Sequence, residues 1–224
     1  MQEPATIHCD RQTLLKGLYL ILDPSVRPDR PLTELLCEAA AQGVRLFQYR
    51  DKGATMQEAY RKATALRQAA TQCGALLIVN DRCDLALAVE ADGVHLGQDD
   101  LPIAYARRLM GPERLIGLST HSIQQVRDAA GTGPDYIGFG PIFGTATKLD
   151  HDPVVGIEGL RSVRSLTELP IFAIGGITVA SAPDIVAAGA DGLAVISAVL
   201  KAPDVGAAVQ AFQRALATQK RQSQ

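Results

Sequence analysis

Residues 75–100, ALLIVNDRCDLALAVEADGVHLGQDD, read as strand, short helix, strand. The first apolar run, 75–79, is too short for a helix and too continuous for a strand with one wet face. It is the pattern of a strand buried on both sides of a parallel sheet. Each strand ends in polar groups: Asn80 and Asp81 after the first, Gln98, Asp99 and Asp100 after the second. Ligands of parallel sheets bind beyond the carboxyl ends of the strands. If both strands end on one rim, two acidic clusters converge there, which is what a hard divalent cation such as Mg2+ needs. A competing reading makes Asp81 and Asp100 helix N-caps, because a helical pattern follows Asp81 and Pro102 stands two residues after Asp100. This stretch alone favours neither.

Working outward, the same alternation runs through the chain. Toward the amino terminus, 17–22 (GLYLIL) and 44–49 are β-type runs. A helix over 34–42, capped by Thr33 and closed by Gly43, separates them. A second helix, 56–72, closes at Gly74. Toward the carboxyl terminus, strands are expected at 114–119, 135–139, 171–174 and 193–196. Helices are expected at 103–110, 122–130 (ended by Gly131), 157–169, 181–188 and 205–217. Eight strand–helix units in this order predict a closed (β/α)8 TIM barrel of the α/β class. An open doubly wound sheet is the alternative, but no GxGxxG follows the first strand.

In a barrel, residues at the carboxyl ends of the strands face the active site. Here they are Gln48, Arg50 and Lys52 after strand two, Asn80 and Asp81 after three, Gln98 and Asp100 after four, and Ser119 with His121 after five. Thr145, Thr147 and Lys148 lie after strand six, Gly175 and Gly176 after seven, and Ile196 and Ser197 after eight. Arg50, Lys52 and Lys148 bring cations to one rim, and the carboxylates could bring a metal, a combination suited to a diphosphate. Gly175–Gly176 and Ile196–Ser197 stand where barrels often hold a monophosphate on backbone N–H groups. Taken singly, each glycine is explained by a turn and each basic side chain by solvation; their joint placement carries the phosphate reading. His121 has no partner at a recognisable spacing, so a positioning role is preferred to proton transfer. His95 alternates with Val94 and Leu96 and faces either the barrel interior or the helices. The loop 140–156 is long for a βα connection and suits a lid.

The 224 residues, 47% hydrophobic, suffice for one barrel, so one domain is expected over 17–218. Residues 1–16 form a tail or a short helix under the first strand, and 219–224 a polar tail. The net charge of −2 argues against nucleic-acid and anionic-membrane partners. Cys9, Cys37, Cys73 and Cys83 show no CxxC or metal-ligand spacing and read as reduced thiols. The amino terminus lacks a signal-peptide pattern and no stretch reaches membrane-spanning length, so a soluble, cytoplasmic protein is expected. Homo-oligomer formation is left open.

The motifs LYLIL, QYRDK, NDRCDLAL, ADGVHLGQDD, GLSTHS, DYIGFGPIFGTATK, AIGGIT and AGADGLAVISAV together give the chain, from Gly17 onward, a specific resemblance. It resembles the thiamine phosphate synthase family. The resemblance implies an Mg2+-dependent transferase of small-molecule substrates. It would join 4-amino-5-hydroxymethyl-2-methylpyrimidine diphosphate to a thiazole phosphate and release pyrophosphate. By the same resemblance Gln48, Arg50, Lys52, Asn80, Ser119 and Lys148 bind the pyrimidine diphosphate, with Arg50, Lys52, Lys148 and Ser119 as the catalytic set. Asp81 and Asp100 match the magnesium ligands, and Thr145, Thr147, Gly176, Ile196 and Ser197 the thiazole phosphate contacts. Gly144 stands where the family often has proline, and Ser181 where it often has asparagine. Two other readings are a thiazole tautomerase on the same barrel, using a histidine such as His121, and a non-catalytic binder of phosphorylated ligands.

Overall fold

Side chains alternate across each strand, and this alternation sorts the core into two layers. In the computed structural model, which describes residues 11–144 and 153–222, Tyr19, Ile21, Leu46, Leu76, Ile78, Leu115, Tyr136, Phe172 and Ala194 form a cluster inside the barrel. Their strand neighbours Leu18, Leu20, Phe47, Leu77, Val79, Ile137 and Leu193 belong to the larger cluster under the helices. The strands are β1 (Gly17–Leu22), β2 (Leu46–Tyr49), β3 (Leu76–Asn80), β4 (Gly93–Leu96), β5 (Leu115–Thr120), β6 (Tyr136–Phe139), β7 (Ile171–Ile174) and β8 (Gly192–Val195). They pair in parallel in sequence order, and β8 closes on β1 with Tyr19 opposite Ala194. The molecule is therefore the single (β/α)8 barrel that the strand–helix alternation predicts, not an open sheet.

Helices α1 (Leu32–Ala41), α2 (Met56–Gln72), α3 (Cys83–Ala88), α4 (Ile103–Met110), α5 (Ile123–Thr132), α6 (Gly156–Arg164), α7 (Ala182–Ala187), α8 (Ser197–Leu200) and α9 (Val205–Gln222) cover the outside. α2 and α4 have the expected bounds, and α2 is started by a full Thr55–Glu58 capping box. Elsewhere the ends differ. α1 begins after Pro31, whose fixed φ starts the helix without Thr33 as cap. α5 runs through Gly131 and stops at Gly133, the residue that adopts the left-handed conformation. α6 ends at Arg164, whose guanidinium folds onto the carbonyls of Thr167 and Leu169 and satisfies that turn. The one-turn α8 was not anticipated, and α9 continues to Gln222.

Residues 11–15 lie under the barrel. Arg11–Leu14 is a 3-10 turn, and Leu15 is buried with the interior cluster, so this end seals the floor. Cys37 and Cys73 approach to 3.7 Å between sulfurs and are free thiols, as is buried Cys83. Among the described residues no helix is long and apolar enough to cross a membrane.

The interior is filled to the point that one glycine is obligatory. A Cβ on Gly117 would overlap Tyr136 Cζ and His95 Nδ1. Overpacking of this kind costs about 1–3 kcal/mol, and in a chain of this size 1 kcal/mol moves the thermal midpoint by roughly 2–4 °C. Gly117→Ala is expected to melt several degrees below the parent in a thermal scan. An unchanged midpoint would mean that the two rings have another place to go.

Candidate active site

The strand ends enclose one cavity of about 830 Å3 on the carboxyl-terminal rim. Gln48, Arg50, Lys52, Asn80, Asp81, Ser119, Gly176, Ile196 and Ser197 all line it, with Gln98, Asp99, His121 and Gly175. Nine candidates drawn from strands two, three, five, seven and eight thus share one space. Asp100 stands behind them, against Asp81. Thr145, Thr147 and Lys148, and the centre of the expected lid, lie outside the described residues.

The cations are tethered by acids. Arg50 pairs with Asp23, a buried carboxylate at the end of β1 that also accepts the Ser25 hydroxyl at 2.6 Å. Lys52, on an otherwise exposed turn, pairs with Asp81. That turn is shaped by Asp51, which accepts the backbone N–H groups of Gly53 and Ala54 and the Lys62 ammonium at 2.7 Å. Asp51 therefore holds the loop, and its two neighbours reach into the site.

Neither Asp81 nor Asp100 is a helix cap. Asp81 has φ 62, a left-handed conformation that Asp tolerates better than most residues. Its N–H donates to the His95 carbonyl at 2.8 Å. The N-cap position of α3 is Arg82 and that of α4 is Pro102, neither with a side-chain cap. The Asp100 carboxylate instead accepts the Gly97 N–H at 2.7 Å. Burial raises the Asp100 carboxyl above its ordinary range, and the adjacent Asp81 carboxylate, close enough to share a proton with it, raises it further. Two carboxylates crowded in this way are hard oxygen donors of the kind that would suit a small divalent cation. No cluster of three or more metal-ligating side chains forms among the described residues.

Below these charges the barrel floor is polar. Gln48 Nε2 donates to Tyr19 Oη at 2.8 Å, Tyr19 and Tyr136 hydroxyls lie 3.0 Å apart, Tyr136 Oη is 3.2 Å from His95 Nδ1, and His95 Nε2 is 3.0 Å from Ser119 Oγ. Burial pushes the imidazole down to about 4 and both phenols up, so every member is neutral near pH 7. His95 thus faces the interior, not the helices. His121 Nδ1 lies 2.7 Å from the Gly140 carbonyl, and its own N–H donates to Gln125. This geometry orients His121 as a positioning residue would be oriented.

At the opposite wall, Gly175 and Gly176 have φ 98 and 63, and a Cβ on Gly176 would lie 2.6 Å from the Gly144 carbonyl oxygen. The close approach of the chain after β6 demands glycine here whatever binds beside it. Asp23, Tyr19 and Tyr136 were not among the sequence candidates. Tyr19 and Tyr136 could have been found as polar-tipped residues at inward positions of β1 and β6; Asp23 gave no such signal.

The chain matches, over residues 18–199, the family described as thiamine monophosphate synthase. The thiamine-phosphate synthase of Chloroflexus aurantiacus is 46% identical over 193 residues, 86% of this chain and 89% of that protein. That of Methanospirillum hungatei is 46% identical over 196 residues, 88% of this chain and 95% of the relative. Among solved structures, a thiamine phosphate pyrophosphorylase from Pyrococcus furiosus superposes with a TM-score of 0.83 at 37% identity, covering 93% of this chain and 98% of that one.

Proposed function

This chain belongs to the thiamine monophosphate synthase family, and on that premise we propose how its rim residues divide the work of the reaction. It is a transferase of thiamine biosynthesis that acts on small molecules and forms thiamine phosphate. The proposal concerns which groups do what. Its chief support is the meeting of nine rim residues from five strands in one cavity, with two carboxylates side by side at its edge.

Gln48, Asn80 and Ser119 hold the aminopyrimidine, and Arg50, Lys52 and Lys148 hold its diphosphate. Gly176, Ile196 and Ser197, with Thr145 and Thr147, take the thiazole phosphate. Asp81 and Asp100 are the residues that would hold Mg2+, which when bound would supply positive charge to neutralise the diphosphate leaving group. The 4-amino group pushes electrons into the ring as the C–O bond to diphosphate breaks, leaving a pyrimidinylmethyl cation. The thiazole nitrogen then forms the new C–N bond. No strong enzymic base is needed, which accords with His121 on the rim and His95 in the floor both being engaged in orienting contacts. Arg50, Lys52 and Lys148 stabilise the growing negative charge, and the barrel wall holds the nucleophile near while limiting water. A cytoplasmic location belongs to the same proposal.

The test is direct. The purified protein, mixed with both substrates and Mg2+, is expected to yield pyrophosphate and thiamine phosphate in equal amounts, and to yield neither in EDTA. Ligand binding without turnover would instead describe a binder. Consumption of the thiazole alone would describe a tautomerase and direct attention to His121. Full activity in EDTA would remove Mg2+ from the scheme.

A further inference from the structure

The buried chain Gln48–Tyr19–Tyr136–His95–Ser119 joins two walls of the cavity through the barrel floor, and we infer that it fixes, jointly, which hydrogen-bonding face each end residue shows to the ligand. The inference rests on the proposal that Gln48 and Ser119 contact the pyrimidine. Tyr19, Tyr136 and His95 are positioning residues in this account.

Beyond Gln48, each member of the chain has one proton to give. With Gln48 Nε2 donating to Tyr19 Oη at 2.8 Å, the Tyr19 proton is directed to Tyr136, 3.0 Å away. The Tyr136 proton is then directed to His95 Nδ1 at 3.2 Å. An imidazole with one proton that accepts at Nδ1 must donate at Nε2, so it donates to Ser119 Oγ at 3.0 Å. The Ser119 proton is the hydrogen left over at one end, and at the other Gln48 keeps its amide oxygen as an acceptor beside its second Nε2 hydrogen. Both residues line the cavity. A hydroxyl donor on one wall therefore comes with a carbonyl acceptor on the other. Reversing either end requires reversing every link and turning the amide over.

That polarity matches a ring with an acceptor nitrogen on one edge and an amino donor on the other. It opposes the oxo counterpart, in which a carbonyl replaces the amino group and would face the Gln48 oxygen. The floor is built to keep the links in place: Gly117 leaves the room that Tyr136 and His95 occupy, and Tyr19, Tyr136 and Phe172 pack edge to face with centroids 5.2–6.0 Å apart.

Tyr136→Phe removes the central hydroxyl and keeps the ring; Tyr19→Phe does the same one link away and serves if the first variant fails to fold. Inhibition constants are measured for the 4-amino and 4-oxo hydroxymethylpyrimidine monophosphates, alongside the KM for the thiazole phosphate. The parent is expected to prefer the amino compound. Each variant is expected to lose on the order of tenfold of that preference, the scale of one hydrogen bond, with the thiazole KM unchanged. A folded variant that keeps the parental preference overturns the inference and leaves the site assignment standing. A parent without preference, together with Gln48→Ala and Ser119→Ala variants that bind the pyrimidine normally, overturns the assignment and the inference with it.

Discussion

Asp100→Ala is expected to lower kcat/KM by at least ~10²-fold, the usual scale for the loss of a preorganised electrostatic contact, while folding is little affected. The contrast follows from what the carboxylate touches. Its protein partner is the Gly97 N–H in a turn at the rim, not a helix terminus or a core ion pair. Its other neighbours are Asp81, a like charge, and, more weakly, the Lys52 ammonium, so removing Asp100 relieves a repulsion in the protein and gives up a smaller attraction. What is lost is the second hard oxygen donor beside Asp81. The expected result is therefore a rate deficit that high Mg2+ partly repairs, with the midpoint of the Mg2+ dependence moved upward and the thermal midpoint near the parent's. Asp100→Asn, which keeps an oxygen for Gly97, should share the deficit. Parental Mg2+ dependence in both variants would separate this pair of carboxylates from the metal.

Most of what positions this site was legible because barrel topology converts sequence position into place. Once 75–79 is read as a buried parallel strand, whatever follows it lies on the ligand-binding rim. The same inference carries Gln48 on β2, Arg50 after it, Ser119 on β5 and Ser197 after β8 to one cavity. The floor was not legible in the same way. Tyr19 and Tyr136 are 117 positions apart, and their contact depends on how the closed barrel brings inward residues of non-adjacent strands together. Asp23 is one polar residue at the start of a proline-containing loop, and only the fold shows that it holds Arg50. Helix ends failed where two residues could serve. Gly131 and Gly133 are both potential stops, and tertiary packing selects the second.

Arg50→Ala is expected to damage activity and stability together, which sets it apart from Asp100→Ala. The guanidinium lines the cavity where the diphosphate is proposed to sit, so its loss should cost about 10²-fold in kcat/KM for the pyrimidine diphosphate. It also pairs with Asp23, whose side chain is 3% exposed, against 21% for Arg50. Removing one partner of a fully enclosed ion pair costs ~3–5 kcal/mol, because a charge is left buried alone. Here Ser25 still donates to Asp23 through its hydroxyl and its N–H, and Arg50 reaches solvent, so about 2 kcal/mol is the better expectation. The two effects can be separated by adding Asp23→Asn, which removes the stranded charge. The double variant should recover part of the lost thermal midpoint, as expected for residues in direct contact, and none of the lost activity. Recovery of both would mean that Arg50 acts by holding β1 and β2 in register. Near-parental kcat/KM in Arg50→Ala would take the diphosphate away from this side of the rim, because the other described cations near the end of β2 are more exposed: the Lys52 side chain is 60% exposed and that of Lys62, on α2, is 38%.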